Sequence, residues 1–290
     1  MLYGTRIMPI TIKTKEEIEI LREGGKRLAE ILEKVAAEAR PGVSTKELDS
    51  IAEMLIFESG GTPSFKGYKI HGVRVPYPAA LCVSVNDEVV HALPRPDKIL
   101  REGDVVALDI GMWWGYPAPG LQLPAYRKNY SSPRAESREP RAALATDMAV
   151  TIGIGKISYD AERLIKGTRI ALEKGIQAVH LGGHIGDIGY AIESELKKYR
   201  LGIVHELAGH GVGYEVHEEP FVPNFGKPGT GPELKEGMVL ALEPISTLGD
   251  WRVRLQKDEW TFKTVDGSMS AHFEHTVAVT KEGGEVLTLY

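Results

Sequence analysis

Four acidic side chains stand where an ordinary core strand would carry apolar ones. Asp109 closes the run Val105-Val106-Ala107-Leu108, Glu243 follows Met238-Val239-Leu240-Ala241-Leu242, and Glu274 precedes Thr276-Val277-Ala278-Val279. Asp147 leads into Met148-Ala149-Val150. A carboxylate inside such a run faces a large desolvation cost unless it is paired or binds a cation. Any one of them could be a strand-end acid meeting solvent or an arginine. Four at the edges of core strands call for metal, because that much buried negative charge needs a positive partner. His210, between Gly209 and Gly211, can present its ring where bulkier neighbours would block access. A second histidine, His217, stands just before Glu218-Glu219-Pro220.

Two other motifs fail on their chemistry. Gly153-Ile154-Gly155-Lys156 has Ile157 where a phosphate loop needs Ser or Thr for magnesium, and no preceding glycine is correctly spaced. In His205-Glu206-Leu207-Ala208-Gly209-His210 the histidines are one residue too far apart for the helical zinc-protease signature. Gly209 and Gly211 also argue against a helix there.

The elements that must position the acids read as α+β. Ile18, Leu21, Leu28, Ile31, Leu32 and Val35 keep helical spacing, with Thr14 and Glu17 placed as a capping box, and the helix should end near Arg40-Pro41-Gly42. A second helix starts at Ser44 or Thr45 and stops at Gly60-Gly61. Residues 80–90, 104–110 and 148–154 are strand-like. Helical spacing returns over 161–180 and 185–199, followed by strand candidates at 238–243 and 272–280. Helix pair, strands, helix pair, strands fits an α+β domain and raises the idea of two similar halves. No residue-level repeat is visible.

Residues 113–145 break the pattern. They hold five prolines and five Lys/Arg against two Glu, without periodicity, which favours an inserted loop over a packed element. A hairpin end can grow at modest entropic cost if the strands keep register, so Asp109 and Asp147 are expected side by side beneath a surface excursion.

The 290 residues, 42% of them hydrophobic, can bury a large core as one big domain or two ordinary ones. A net charge of -5 is a poor match for sequence-independent nucleic-acid binding. The single cysteine, Cys82, excludes an intramolecular disulfide and points to a reducing compartment. The first residues lack an apolar run of signal-peptide or membrane length, so a cytoplasmic protein without membrane contact is expected.

Six motifs then occur in a telling order: Leu108-Asp109-Ile110-Gly111, Thr146-Asp147-Met148-Ala149-Val150, Gly209-His210-Gly211-Val212-Gly213, His217-Glu218-Glu219-Pro220, Leu242-Glu243-Pro244 and Ser270-Ala271-His272-Phe273-Glu274-His275-Thr276. In this order they resemble the methionine aminopeptidases of type I, from roughly Ile10 to the C-terminus apart from the enlarged loop. The resemblance implies a pita-bread α+β fold, with pseudo-twofold halves around a central, mostly antiparallel sheet. It also implies a single catalytic domain over 1–290, with 1–12 as an N-terminal extension and 113–145 as an insert.

Two divalent metal ions are implied as cofactors. Asp109 would chelate one, Asp147 and Glu274 would bridge both, and His210 and Glu243 would complete the second. Oxygen-rich ligation with one imidazole suits cobalt, manganese or iron, with zinc a further option. Paired ions acidify a bridging water and stabilise charge on the attacked carbonyl. Glu243 would carry the water's proton to the leaving amine.

By the same resemblance His91 contacts the substrate's amide nitrogen and His217 hydrogen-bonds the scissile carbonyl oxygen. Tyr68, Tyr77, Cys82 and Trp260 resemble the methionine pocket, where soft sulfur meets aromatic edges. The implied activity is removal of the initiator methionine from nascent or newly made chains with small second residues, by a monomer.

Ala92 replaces the usual glycine after the first histidine, and Val216 replaces a common aromatic before His217. Either could alter the pocket without abolishing the chemistry. The basic loop would suit ribosomal RNA or a partner, a solvated loop being the plainer alternative. The short spacing from His210 to Glu243 lacks the helical insert of type II enzymes. Two rivals remain at this level. One is an Xaa-Pro peptidase on the same fold, and the other a metal-free binding protein that should have lost ligands.

Overall fold

The computed structural model describes residues 9–70, 72–115 and 143–289. The first half runs α1 (Lys15–Glu38), α2 (Thr45–Ser59), β1 (Thr62–Pro63), β2 (Leu81–Val85), β3 (Glu88–Val90), β4 (Val105–Trp114) and β5 (Leu144–Gly153). The second half runs α3 (Tyr159–Gln177), α4 (Ile185–Lys198), β6 (Gly202–Ile203), β7 (Gly209–Gly211), β8 (Glu218–Val222) and β9 (Val239–Leu242). It closes with β10 (Ile245–Thr247), β11 (Val253–Leu255), β12 (Phe262–Thr264), β13 (Ser270–His272), β14 (Glu274–Thr280) and β15 (Gly283–Val286).

Local chemistry explains the helix starts. Thr14 Oγ1 accepts from Glu17 N at 3.2 Å while Glu17 returns to Thr14 N at 2.8 Å, so two orphan amides at the start of α1 are satisfied. Ser44 and Glu47 do the same for α2, which ends at Gly60 with φ +92. The central sheet is antiparallel and follows the order β1-β4-β5-β14-β9-β7-β8, with β2 on β4 and β15 on β14. The β5–β14 pair joins the two halves.

The strand period of two sorts the side chains. Leu108, Ile110 and Met148 pack with Leu28, Leu48 and Ile56 of the first helix pair. Val277, Val279 and Leu240 pack with Leu164, Ile188 and Ile192 of the second. Asp109, Asp147 and Glu274 therefore fall on the opposite face.

Strands β4 and β5 run further than the pattern indicates, pairing as far as Trp113↔Ala145 and Trp114↔Leu144. Sequence reading stops at Asp147 and Gly111 because an acid and a glycine are poor strand formers. Tertiary contacts override both. A Cβ on Gly111 would sit 2.2 Å from Ser64 Oγ, so the glycine admits the β1 segment. Trp114 lies against Gly24 of α1, with the Arg27 guanidinium 4.5 Å from its ring centroid. The rest of the expected insert, 116–142, and residues 1–8 of the expected extension lie outside the described residues.

Gly25 lets α1 meet the segment that follows β15, since a Cβ there would be 2.3 Å from the Leu287 carbonyl oxygen. Backbone cannot step aside as a side-chain tip can. Gly25→Ala should therefore destabilise by about 1–3 kcal/mol, as overpacking does. Urea unfolding should show a lower midpoint at unchanged slope; an unchanged midpoint would refute the close contact.

Candidate active site

Register alone assembles the acids. Asp109 pairs with Ala149, and Ala149 with Glu274, so Asp109 and Glu274 flank β5 in one row. Asp147, opposite Gly111, lies two residues along β5 on the same face. His210 on β7 is opposite Ala241, which is opposite Thr276 on β14. Glu243 follows the last residue of β9, and Asn224 Nδ2 donates to its backbone carbonyl at 3.0 Å.

The carboxylates are crowded and poorly compensated. Asp109, Asp147 and Glu274 are buried, and neither Asp109 Oδ1 nor Asp147 Oδ1 has a hydrogen-bond partner among the described residues. Burial pushes the Asp109 carboxyl up to about 6. Burial, then repulsion from Asp109 and Glu243, pushes Asp147 well above the usual carboxylate range. Glu274 is driven the same way by burial and the nearby Asp147. Thr276 Oγ1 donates to Asp147 O and accepts from Asp147 N, at 2.8 and 2.9 Å. It holds the backbone and gives the carboxylate no hydrogen bond.

His210 shows what is missing. Its Nδ1 lies 2.9 Å from Gly211 O, and a carbonyl can only accept, so Nδ1 carries the proton. The lone pair on Nε2 then faces Glu243 Oε1 at 3.6 Å. Two lone pairs pointed at each other fit a cation between them. Among the described residues, donor atoms of Asp147, His210 and Glu274 all lie within 4.8 Å of one another. The donor set thus fits a divalent metal.

The acid-bearing face opens into a cleft. One wall is apolar, with Tyr77 and Trp260 edge to face at 5.1 Å, Cys82 beside them, and Phe65 and Ile70 packed in the same wall. Trp260 Nε1 donates to Val75 O at 2.9 Å and the Tyr77 hydroxyl to Ala92 O at 3.1 Å, so both rings are pinned by their polar ends. The Tyr68 hydroxyl is 2.6 Å from His217 Nδ1. His91 lines the cleft with φ +55, and burial lowers its pKa to about 4. Burial, followed by the neighbouring His210 and His91, drops His217 well below the usual histidine range. Both rings are neutral at physiological pH. Every site residue expected from sequence lines this one cleft.

Comparison with known proteins agrees with this geometry. The family model of metallopeptidase family M24 matches residues 19–119 and 142–281. The chain belongs to that family. It is 39% identical over 280 residues to the methionine aminopeptidase of Clostridium acetobutylicum, covering 97% of this chain and 99% of the relative. It is 41% identical over 286 residues to that of Aquifex aeolicus, covering 97% and 99%. The crystal structure of the Thermotoga maritima methionine aminopeptidase superposes with a TM-score of 0.84 at 37% identity, covering 97% of this chain and all of that one. The prolidase of Pyrococcus furiosus shares the fold, with a TM-score of 0.67 at 21% identity, over 96% of this chain and 65% of its own. The fold is thus the pita-bread fold, and the M24 match breaks between the two aspartates.

Sequence reasoning missed three lining residues, Phe65, Ile70 and His272. His272 had a usable signal, since it stands two residues before Glu274, a spacing that shares a strand face. The other two are apolar residues in irregular segments and carry no signal of their own.

A buried ion pair holds the turn that presents His217 in this M24 chain. Lys13 Nζ meets Glu218 Oε2 at 2.6 Å with both side chains almost fully excluded from water. Thr11 also donates to Glu218, so the expected N-terminal extension is partly built into the fold. Glu218 Oε1 accepts from Tyr214 N and Glu215 N at 2.6 and 3.2 Å. Removing one partner strands the other in low dielectric, so Lys13→Met should cost about 3–5 kcal/mol. Denaturant titration measures it, and a loss below about 1 kcal/mol, the range of exposed pairs, would show the pair to be solvated.

Proposed function

We propose that this M24 peptidase hydrolyses the first peptide bond of chains that begin with methionine. The observation that carries this is the Asp147–His210–Glu274 cluster opening directly onto an apolar wall of aromatic rings and one thiol. The near full-length likeness to methionine aminopeptidases supports the same substrate.

Asp109, Asp147, His210, Glu243 and Glu274 are the residues that would hold divalent metal, two ions in this proposal, with manganese, iron or cobalt favoured by the oxygen-rich donors. Such ions supply Lewis acidity and an acidified water when bound. The chain's own groups do the rest. Tyr77, Cys82 and Trp260 offer the polarisable, pinned surface that a thioether prefers. His217, neutral and hydrogen-bonded through Nδ1 to Tyr68, places its Nε2 for the scissile carbonyl oxygen. His91, also neutral, faces the substrate's amide nitrogen. Glu243, the least enclosed of the carboxylates, is the group to carry a proton to the leaving amine. A free α-amino group offers a nitrogen lone pair that a divalent metal held by these acids would accept, and a blocked or internal amide nitrogen offers none. That difference accounts for cutting at the first residue alone. Nascent or newly made chains are the substrates this implies. Among the described residues no helix is long and apolar enough to cross a membrane.

Single-turnover cleavage of Met-Ala-Ser, with metal content measured in parallel, tests the assignment. Asp147→Ala should lower kcat/KM by about 10³-fold, as several kcal/mol of charge stabilisation are lost. Wild-type rates in the variant would rule out the site, and faster cleavage of an Ala-Pro peptide than of Met-Ala would place the chain among Xaa-Pro peptidases.

Metal should also stabilise the fold, because it relieves repulsion present only in the folded state. Adding Mn²⁺ at about 100 times its Kd to chelator-treated protein should contribute ~2.7 kcal/mol. An unchanged thermal midpoint would contradict a cation site.

A further inference from the structure

The geometry points to His272 as the residue that orients Glu243, so that one carboxylate oxygen is left facing the metal site; this rests on the metal assignment above. The Glu243 carboxylate lies between two imidazoles. Its Oε1 is 3.6 Å from His210 Nε2 and its Oε2 is 3.3 Å from His272 Nε2. The two rings cannot play the same part. His210 has its proton on Nδ1, held by Gly211 O, so it offers Glu243 only a lone pair.

His272 is placed to offer a proton. It is 2% exposed, and Nε2 has no aligned hydrogen-bond partner among the described residues. Glu243 Oε2 is the nearest acidic oxygen, with Glu274 Oε2 further off at 3.9 Å. Among the described residues, Glu243 pairs with no lysine or arginine that could take this role. A small rotation of either side chain turns the 3.3 Å approach into a hydrogen bond from Nε2–H to Oε2.

The backbone holds His272 to this post. His272 N donates to Thr151 Oγ1 at 2.9 Å, and Thr151 Oγ1 donates back to His272 O at 2.6 Å. His272 pairs with Ile245, two residues beyond Glu243, and Phe273 N donates to Pro244 O at 3.3 Å. The strand carrying the histidine is therefore laced to the segment carrying the glutamate. Groups that orient a ligand in this way govern metal affinity although they never touch the ion.

Calorimetric titration of the metal-free full chain with Mn²⁺ tests this through binding rather than turnover. His272→Leu, which removes the donor, should weaken Mn²⁺ binding by about 10–100-fold. His272→Gln keeps an N–H donor at similar reach and should restore affinity to within about threefold, which a mere packing role would not. His272→Asn falls one methylene short and should behave like the leucine variant, giving a second polar comparison should leucine prevent folding. Wild-type affinity in His272→Leu or His272→Asn would overturn the proposal. So would a glutamine variant as weak as leucine, because the imidazole itself would then be required. Absence of Mn²⁺ binding by the wild type would instead remove the metal assignment and this inference with it.

Discussion

Negative charge buried on one face of the central sheet is the constraint on which the molecule turns. Asp109, Asp147 and Glu274 share that face with the carboxylate of Glu243 at its edge. Among the described residues no lysine or arginine pairs with any of them. In a low-dielectric floor the charged forms are penalised by burial and repel one another, and the upward shifts of Asp147 and Glu274 express burial first and that repulsion second. An ionised set is stable only with a cation in its midst. The antiparallel register, the threonine that holds Asp147 by its backbone and the fixed tautomer of His210 all serve to aim lone pairs at one place.

Glu218 shows the opposite treatment of a buried acid. It is as deeply enclosed as the site carboxylates, yet Lys13 and two backbone amides compensate it fully. The contrast separates acids that build the fold from acids left unsatisfied for chemistry. It also has a functional consequence, since the residue before Glu218 is His217. A rigid, compensated acid next door fixes the turn from which a neutral imidazole reaches the cleft.

The two halves divide the labour. Each helix pair packs its own apolar strand residues, so neither core depends on the site. The site forms at the seam between β5 and β14, where acids from both halves meet. The polar floor comes from the sheet, while the apolar wall comes from the irregular segment before β2 and from Trp260 near β12. A ligand that fills the cleft must satisfy both at once. A chain that begins with methionine offers both, a free α-amine for the polar floor and a thioether for the rings.

Local physics made much of this readable from the residues in order. The capping boxes, the helical spacings and the acids interrupting Val105–Leu108 or Met238–Leu242 are encoded within a few positions, so sequence alone located both helix pairs and the metal-ligand candidates. The ordered motifs carried the family, and with it the fold. What the chain order could not settle depends on partners far apart. Lys13 and Glu218 are 205 residues apart, and nothing local marks either as the other's counter-ion. Trp114 extends β4 only because α1 offers Gly24 and Arg27 beneath it. Phe65 and Ile70 become pocket wall only after an irregular segment folds over Cys82. The acids themselves were legible as a debt of negative charge. Which oxygens point together, and that two histidines face Glu243, was decided by strand register in the assembled sheet, because charge balance is a property of positions in space.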